Sequence, residues 1–228
     1  MRSLPASLSG AIQVGWEKSM RGSIRIERYA IVSADGMIAD AGGLMPDSLK
    51  IEADQRFYAK ALDRAAVVAH GRLSHEGQPN SASRRRLILT RRVGGLAADP
   101  DNPNAKLWNP AGATFEEACA AVGCRAGTVA IGGGTDIYSL FLKFGYDDFY
   151  LARAEKVRLP GGVPCFAQGR FGSPPEQVLN ESGLNPRKFH RLADGVTLVK
   201  WSRESGVMGP CYRKTGRRVA PHRRKLRI

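Results

Sequence analysis

The chain has 228 residues and a formal net charge of +14 at pH 7, with 43% hydrophobic and 25% charged residues. That length buries a sizeable core without disulfide or metal staples, and no apolar run approaches the roughly 18 residues a membrane span needs, so a soluble globular protein is expected. The surplus charge is uneven: residues 203–228 carry nine Lys or Arg against Glu204 alone, few large apolar groups, and the ending Arg223-Arg224-Lys225-Leu226-Arg227, the composition of a disordered, solvated basic tail.

Residues 1–25 read as an extension, disordered, with no secretory pattern. A cytoplasmic address is expected, and Met20 stands as a second candidate start. Cys119, Cys124, Cys165 and Cys211 form no Cys-x-x-Cys pair and have no His at ligand spacing, so no metal site is expected. One domain is expected over residues 26–202, followed by the tail.

Within it, Tyr29-Ala30-Ile31-Val32 reads as a strand and the Asp-Gly pair in Ser33-Ala34-Asp35-Gly36 as its turn. A loop runs to about Ser48, and apolar residues at Ile51, Phe57, Ala61 and Leu62 predict a helix beginning near Ser48 or Asp54 and ending near Arg64. The unbroken runs at 65–69 and 87–90 have the character of strands covered on both faces. The Gly, Asp, Asn and Pro content between Arg92 and Pro110 predicts a loop. Thr114-Phe115-Glu116-Glu117 has capping-box spacing and opens a second helix over 115–122. Residues 128–131 form a third buried strand, which leaves through Gly132-Gly133-Gly134 into a helix carrying Ile137, Tyr138, Leu140, Phe141 and Leu142. Residues 148–154 and 195–201 read as strands separated by Pro/Gly-rich loops. The alternation predicts an α/β fold with a mostly parallel sheet flanked by helices and an antiparallel C-terminal edge.

Three groupings carry chemistry. Glycines after a strand let a ligand approach the backbone, and the helix that follows offers unpaired N–H groups to phosphate. The same run also makes an ordinary tight turn, and it lacks the spaced glycines of a dinucleotide fingerprint. Asp136 in the first helical turn restricts any phosphate contact to backbone donors. Arg72, and Arg91 with Arg92, follow two other strands; ligands of open sheets lie beyond the carboxyl ends of strands, and guanidinium groups there suit a 2′-phosphate, favouring NADPH over NADH. Glu52 and Asp54 open the first helix. Either serves the helix dipole there, and Asp54 is the preferred candidate for organising a proton during hydride reduction of a C=N or C=O bond. His70, His75 and Ser74 lack the spacing for metal or nucleophile chemistry.

Five segments in order, 31–39, 67–72, 87–91, 131–138 and 159–166, resemble the dihydrofolate reductase-like superfamily, and within it the reductase domain of riboflavin biosynthesis. The resemblance covers about residues 26–202. It implies a dihydrofolate reductase-like α/β domain that binds NADPH and passes hydride to a pyrimidine or pteridine, of the 5-amino-6-(5-phosphoribosylamino)uracil reductase type, with dihydrofolate reductase as the alternative. It further implies that Ile38 and Ala39 flank the nicotinamide, that Gly71, Arg72, Leu73, Thr90 and Arg91 hold the adenosine side, and that Gly132, Gly133, Gly134, Thr135, Asp136 and Ile137 hold the diphosphate. Glu52, Asp54 or neither occupies the place of the superfamily's substrate-binding acid. The expected partner is a small molecule, with no membrane or nucleic acid, and a homodimer is allowed for. A competing reading, of another class, is a non-enzymatic nucleic-acid module acting through the basic tail.

Overall fold

The computed structural model describes residues 23–72 and 80–203. Leu73, Ser74, His75, Cys211 and the expected disordered stretches at 1–22 and 204–228 lie outside them.

Strand β1 (Ile24–Ser33) is followed by the short β2 (Met37–Ala39), helix α1 (Glu52–Arg64), β3 (Val67–Gly71) and β4 (Arg86–Leu89). Next come β5 (Leu96–Ala98), β6 (Ala105–Trp108), α2 (Phe115–Ala121), β7 (Gly127–Ile131), α3 (Thr135–Phe144) and β8 (Asp148–Ala154). The chain closes with β9 (Val163–Pro164), α4 (Pro175–Glu181), β10 (Leu184–Ala193) and β11 (Val196–Arg203). Nine strands form one sheet in the order β10-β11-β8-β1-β7-β3-β4-β6-β5. The six strands from β8 to β6 are parallel. Antiparallel strands close both edges, β11 and β10 on one side and β5 on the other. β2 and β9 form a separate two-stranded ribbon.

Alternate residues of β1 face opposite layers. Ile24, Ile26, Ala30 and Val32 enter the main core with Phe115 and Ala118 of α2, Phe141 of α3, and Val178 and Leu179 of α4. Ile31 enters a second cluster with Ala152, Leu198 and, on α1, Phe57, and the Tyr29 ring stacks on Tyr150 at 4.7 Å between centroids. The central parallel strands are covered on both faces, which is why they read as continuous apolar runs.

The structure corrects four expectations. β1 begins at Ile24 and β11 ends at Arg203, so Ile24, Arg25 and Arg203 belong to the sheet rather than to the extension and tail. The stretch between Arg92 and Pro110 holds β5 and β6. Only tertiary pairing makes them strands: Leu107 lies opposite Ile88 of β4 and Ala97 of β5, and local Gly, Asn and Pro content carries no trace of it. The second antiparallel edge follows from this. The region expected as loops between β8 and β11 holds α4, whose Pro175 stands at a helix start, and β10. β10 is exposed from Arg187 to Arg191, so no apolar alternation marks it, and pairing with β11 defines it.

Expected helix starts resolve cleanly. The Thr114 hydroxyl accepts from the Glu117 N–H while the Glu117 carboxylate accepts from the Thr114 N–H, a complete capping box at α2. α1 starts at Glu52, between the two starts expected.

Candidate active site

Because β1, β7, β3 and β4 are parallel, Ser33, Ile131, Gly71 and Leu89 all end at one edge of the sheet, and α1 begins its return from that edge. The site is what these four ends and the first turns of α1 and α3 bring together.

The glycine turn is its centre. The Gly132 N–H donates to the Ala69 carbonyl at 2.6 Å, pinning the exit of β7 to β3. Gly134 is the N-cap of α3 at φ +105°, a conformation L side chains rarely adopt. No side chain caps this helix, and the first amides of a helix have no acceptor within it. The amides of Thr135, Asp136 and Ile137 are therefore the donors presented at the positive end of the α3 dipole. Gly71 closes in from β3: a Cβ there would lie 3.4 Å from Ile137 Cγ1. The Thr135 hydroxyl is turned inward, donating to the Pro164 carbonyl, so Thr135 can offer a ligand only its amide. The Asp136 carboxylate is 89% exposed and faces Arg170 at 3.9 Å, which keeps it off the turn and places a cation close to the helix start.

The strand order puts the arginine-bearing turns side by side. Gly71 pairs with Leu89, the Arg72 N–H donates to the Leu89 carbonyl at 3.3 Å, and Arg72 and Arg91 are both exposed. The Thr90 hydroxyl accepts from the Arg92 N–H at 3.2 Å, shaping that turn.

Beyond β1, the Asp35 carboxylate accepts from the Ser33 hydroxyl and the Leu159 N–H. Burial pushes this carboxyl upward, but those hydrogen bonds outweigh it and hold the group below the usual carboxylate range. Asp35 thus ties the segment before Met37 to the segment before Gly161. Gly162 packs so closely that a Cβ would stand 2.5 Å from the Ala39 carbonyl, so the Leu-Pro-Gly-Gly segment fits against Ala39 only without a side chain at this position. Ala39 is buried and Ile38 packs on the main core.

The two acids of α1 separate. Glu52 is 79% exposed and pairs with Arg56 at 2.5 Å, on the solvent side of the helix. Asp54 is half-buried, and burial raises its carboxyl to about 6 even though the charge of Arg28 pulls the other way.

Two residues of this end of the sheet were not singled out from sequence. Arg170 comes from the segment expected as loop. Arg28 is the more telling: it sits inside β1, only 6% exposed, donating to the Ile131 carbonyl at 2.9 Å and to the Tyr138 hydroxyl. A charged residue directly before an apolar run was its one visible signal.

A cavity of about 230 Å³ beside the end of β1, lined by Asp35, Met37, Arg153, Cys165, Phe166 and Pro175 among others, contains none of the residues expected to bind a cofactor. Among the described residues no cluster of His, Cys, Asp or Glu is arranged to hold a metal ion, and no helix is long and apolar enough to cross a membrane.

No protein-family model and no curated protein matches the chain. Solved structures do. A putative riboflavin biosynthesis protein from Shewanella sp. PV-4 superposes with a TM-score of 0.56 at 22% identity, over 79% of this chain and 99% of the other. A diaminohydroxyphosphoribosylaminopyrimidine deaminase/5-amino-6-(5-phosphoribosylamino)uracil reductase from Thermotoga maritima gives 0.55 at 16% identity, over 80% of this chain and 57% of the other. This chain therefore spans little more than half of that protein. Dihydrofolate reductase from Enterococcus faecalis, complexed with NADP(H) and RAB-propyl, gives 0.51 at 15% identity over 79% and 97%. With the parallel sheet, its antiparallel edges and the order of its helices, these likenesses establish that the chain has the dihydrofolate reductase-like fold.

Proposed function

We propose that this protein is an NADPH-dependent reductase that transfers hydride to a small pyrimidine or pteridine, of the riboflavin-biosynthesis type. The observation that carries the reading is the uncapped start of α3 behind Gly134, with Gly71 packed against Ile137 and two exposed arginines on the adjoining strand ends. The features fit a dinucleotide: the segment Gly132 to Ile137 would hold the diphosphate, with the amides of Thr135, Asp136 and Ile137 as donors because the Gly132 N–H is already bound to Ala69, Arg72 and Arg91 with Thr90 the adenosine end and its 2′-phosphate, and Ile38 with Ala39 the nicotinamide. When bound, the reduced nicotinamide supplies the hydride.

The chain's own contribution is then positioning and a proton. Asp54 keeps its proton to higher pH than an ordinary carboxyl because burial disfavours the charge, and an acid of that kind can deliver or organise the proton the reduced heteroatom needs. The pyrimidine branch is favoured over folate by the Asp35 to Leu159 tie, which joins the Ser-Ala-Asp-Gly and Leu-Pro-Gly-Gly segments into one unit, and by the riboflavin-related names of two similar structures.

The test is binding first. Saturating NADPH is expected to raise the melting temperature and shift cofactor fluorescence; an unchanged melting curve overturns the reading. Oxidation of NADPH is then followed with the riboflavin-pathway pyrimidine, dihydrofolate and simpler pteridines, and turnover with dihydrofolate alone would select the folate alternative.

A further inference from the structure

Among the described residues, no carboxylate forms an ion pair with the buried cation of Arg28. The side chain projects from the middle of β1 into the main core, opposite Ile131 in the register of β7. Its guanidinium donates to the Ile131 carbonyl and the Tyr138 hydroxyl, lies 3.9 Å from the centre of the Tyr138 ring, and leaves Nε buried with no hydrogen-bond partner. Asp54 acts on it through space without a hydrogen bond, and burial is the largest influence on the group. Arginine does not shed its proton in proteins, so the fold carries a poorly compensated charge at a site where desolvation costs several kcal/mol.

The two anchors explain where that charge acts. Ile131 is the last residue before the glycine turn, and Tyr138 lies in the first turn of α3 after it, so one guanidinium fastens both ends of the segment 131–138. The Ile131–Gly132 peptide is thereby fixed on both sides, its carbonyl by Arg28 and its N–H by Ala69. A stationary positive charge is left bound to both ends of the turn, buried in low-dielectric surroundings where its field is weakly screened.

We propose that Arg28 is a positioning residue for an anionic ligand of the glycine turn: it holds the two ends of the turn in place, and the ligand's phosphate charge supplies the counter-charge that no ion pair among the described residues provides. The proposal rests on the cofactor reading above. It names a residue that holds the turn and need not touch the ligand.

The experiment uses the full chain and its Arg28→Met and Arg28→Lys variants. Calorimetric titrations are made with NADPH, inorganic pyrophosphate and adenosine 2′-monophosphate, alongside the melting temperature without ligand. Arg28→Met is expected to weaken NADPH and pyrophosphate by about 10- to 100-fold, the scale of a lost charge-assisted interaction. Adenosine 2′-monophosphate should bind unchanged, and the ligand-free melting temperature keeps any loss of stability from the unpaired Ile131 carbonyl separate from the loss of binding. Arg28→Lys, keeping the charge but not the two-point grip, is expected to fall between. Equal loss for all three ligands would mark a merely structural residue and overturn the proposal, as would pyrophosphate binding of wild-type strength in Arg28→Met. Failure of the wild-type chain to bind NADPH and pyrophosphate would instead overturn the cofactor reading itself. Should Arg28→Met not fold, Tyr138→Phe removes one anchor, and a loss of about fivefold for NADPH and pyrophosphate with adenosine 2′-monophosphate unchanged is expected; unchanged pyrophosphate binding there overturns the role of Arg28.

Discussion

Gly132 stands so close to His70 that a Cβ added to it would lie 2.9 Å from the His70 Cβ. Strands β7 and β3 are drawn together at this point by the 2.6 Å bond from the Gly132 N–H to the Ala69 carbonyl. The glycine is required by space here, not by its dihedral angles, whereas Gly134 two residues later is required by its φ of +105°.

Gly132→Ala must push the two strands apart or bend the turn. Overpacking of this kind costs roughly 1–3 kcal/mol. The expected result is a lower urea midpoint with an unchanged slope, together with weaker NADPH binding because the turn carries the proposed phosphate donors. A midpoint equal to wild type would show that the strands yield easily and that the close approach is incidental.

Asp54 gives a pH dependence whose sign can be worked out. Its carboxyl is raised to about 6 from the usual 3.8, so the folded state holds the proton more tightly than the unfolded chain. Stability contributed by this group is full at low pH and is lost as pH rises through about 4 to 6. Asp54→Asn removes that loss, and its melting temperature is expected to exceed wild type at pH 8 and to match it at pH 4. If the protonated carboxyl serves the reduction, wild-type turnover falls as pH rises through about 6, while Asp54→Asn is slower by about 100-fold and has no such inflection. Glu52→Gln, on the exposed side of the helix, should leave both profiles alone. Identical pH profiles of turnover in wild type and Asp54→Asn would remove Asp54 from the chemistry.

How much of this was legible in the sequence depended on where the determining interaction lies. The central parallel strands are buried on both faces and announce themselves as apolar runs, and the Thr114 cap is a local four-residue pattern. β5, β6 and β10 owe their conformation to partners supplied by the fold, and nothing in Ala105-Lys106-Leu107-Trp108 or in the polar Arg187-Lys188-Phe189-His190-Arg191 declares it. Glu52 and Asp54 are near neighbours in the first helical turn, and only the packing of α1 decides which faces inward. Arg28 was hidden for the opposite reason: a charged residue in a strand ordinarily marks a solvent-facing position, and its burial depends on Ile131 and Tyr138, more than a hundred residues away.

The cap at α2 supplies a control for effects on folding alone. Thr114→Ala removes the hydroxyl that accepts from the Glu117 amide and is expected to cost about 0.5–2 kcal/mol of stability. The substitution lies on no element of the proposed site, so NADPH affinity measured well below the melting temperature should be that of wild type. A parallel loss of affinity would indicate that binding reports global stability, and the losses expected for the glycine turn would then need to be judged against that scale.

Arg72 and Arg91 bear on the choice of cofactor. They follow adjacent strands held in register by the Gly71 to Leu89 pairing, and both are exposed. Exposed guanidinium groups contribute little to the fold, so their replacement should be nearly silent in denaturation. A bound 2′-phosphate, by contrast, carries about two negative charges, and removing one charge-assisted hydrogen bond to it costs roughly 1.5–3 kcal/mol. Arg91→Ala is therefore expected to weaken NADPH by about tenfold or more while leaving NADH nearly unchanged, and Arg72→Ala to act in the same direction. The ratio of the two dissociation constants, taken at low and high salt, checks this. Attraction between charges exposed to solvent fades as salt rises, so the wild-type preference should shrink with salt and the Arg91→Ala preference should change little. An undiminished preference in the double variant would place the 2′-phosphate elsewhere, and Arg170, which faces Asp136 at the start of α3, would be the next side chain to replace.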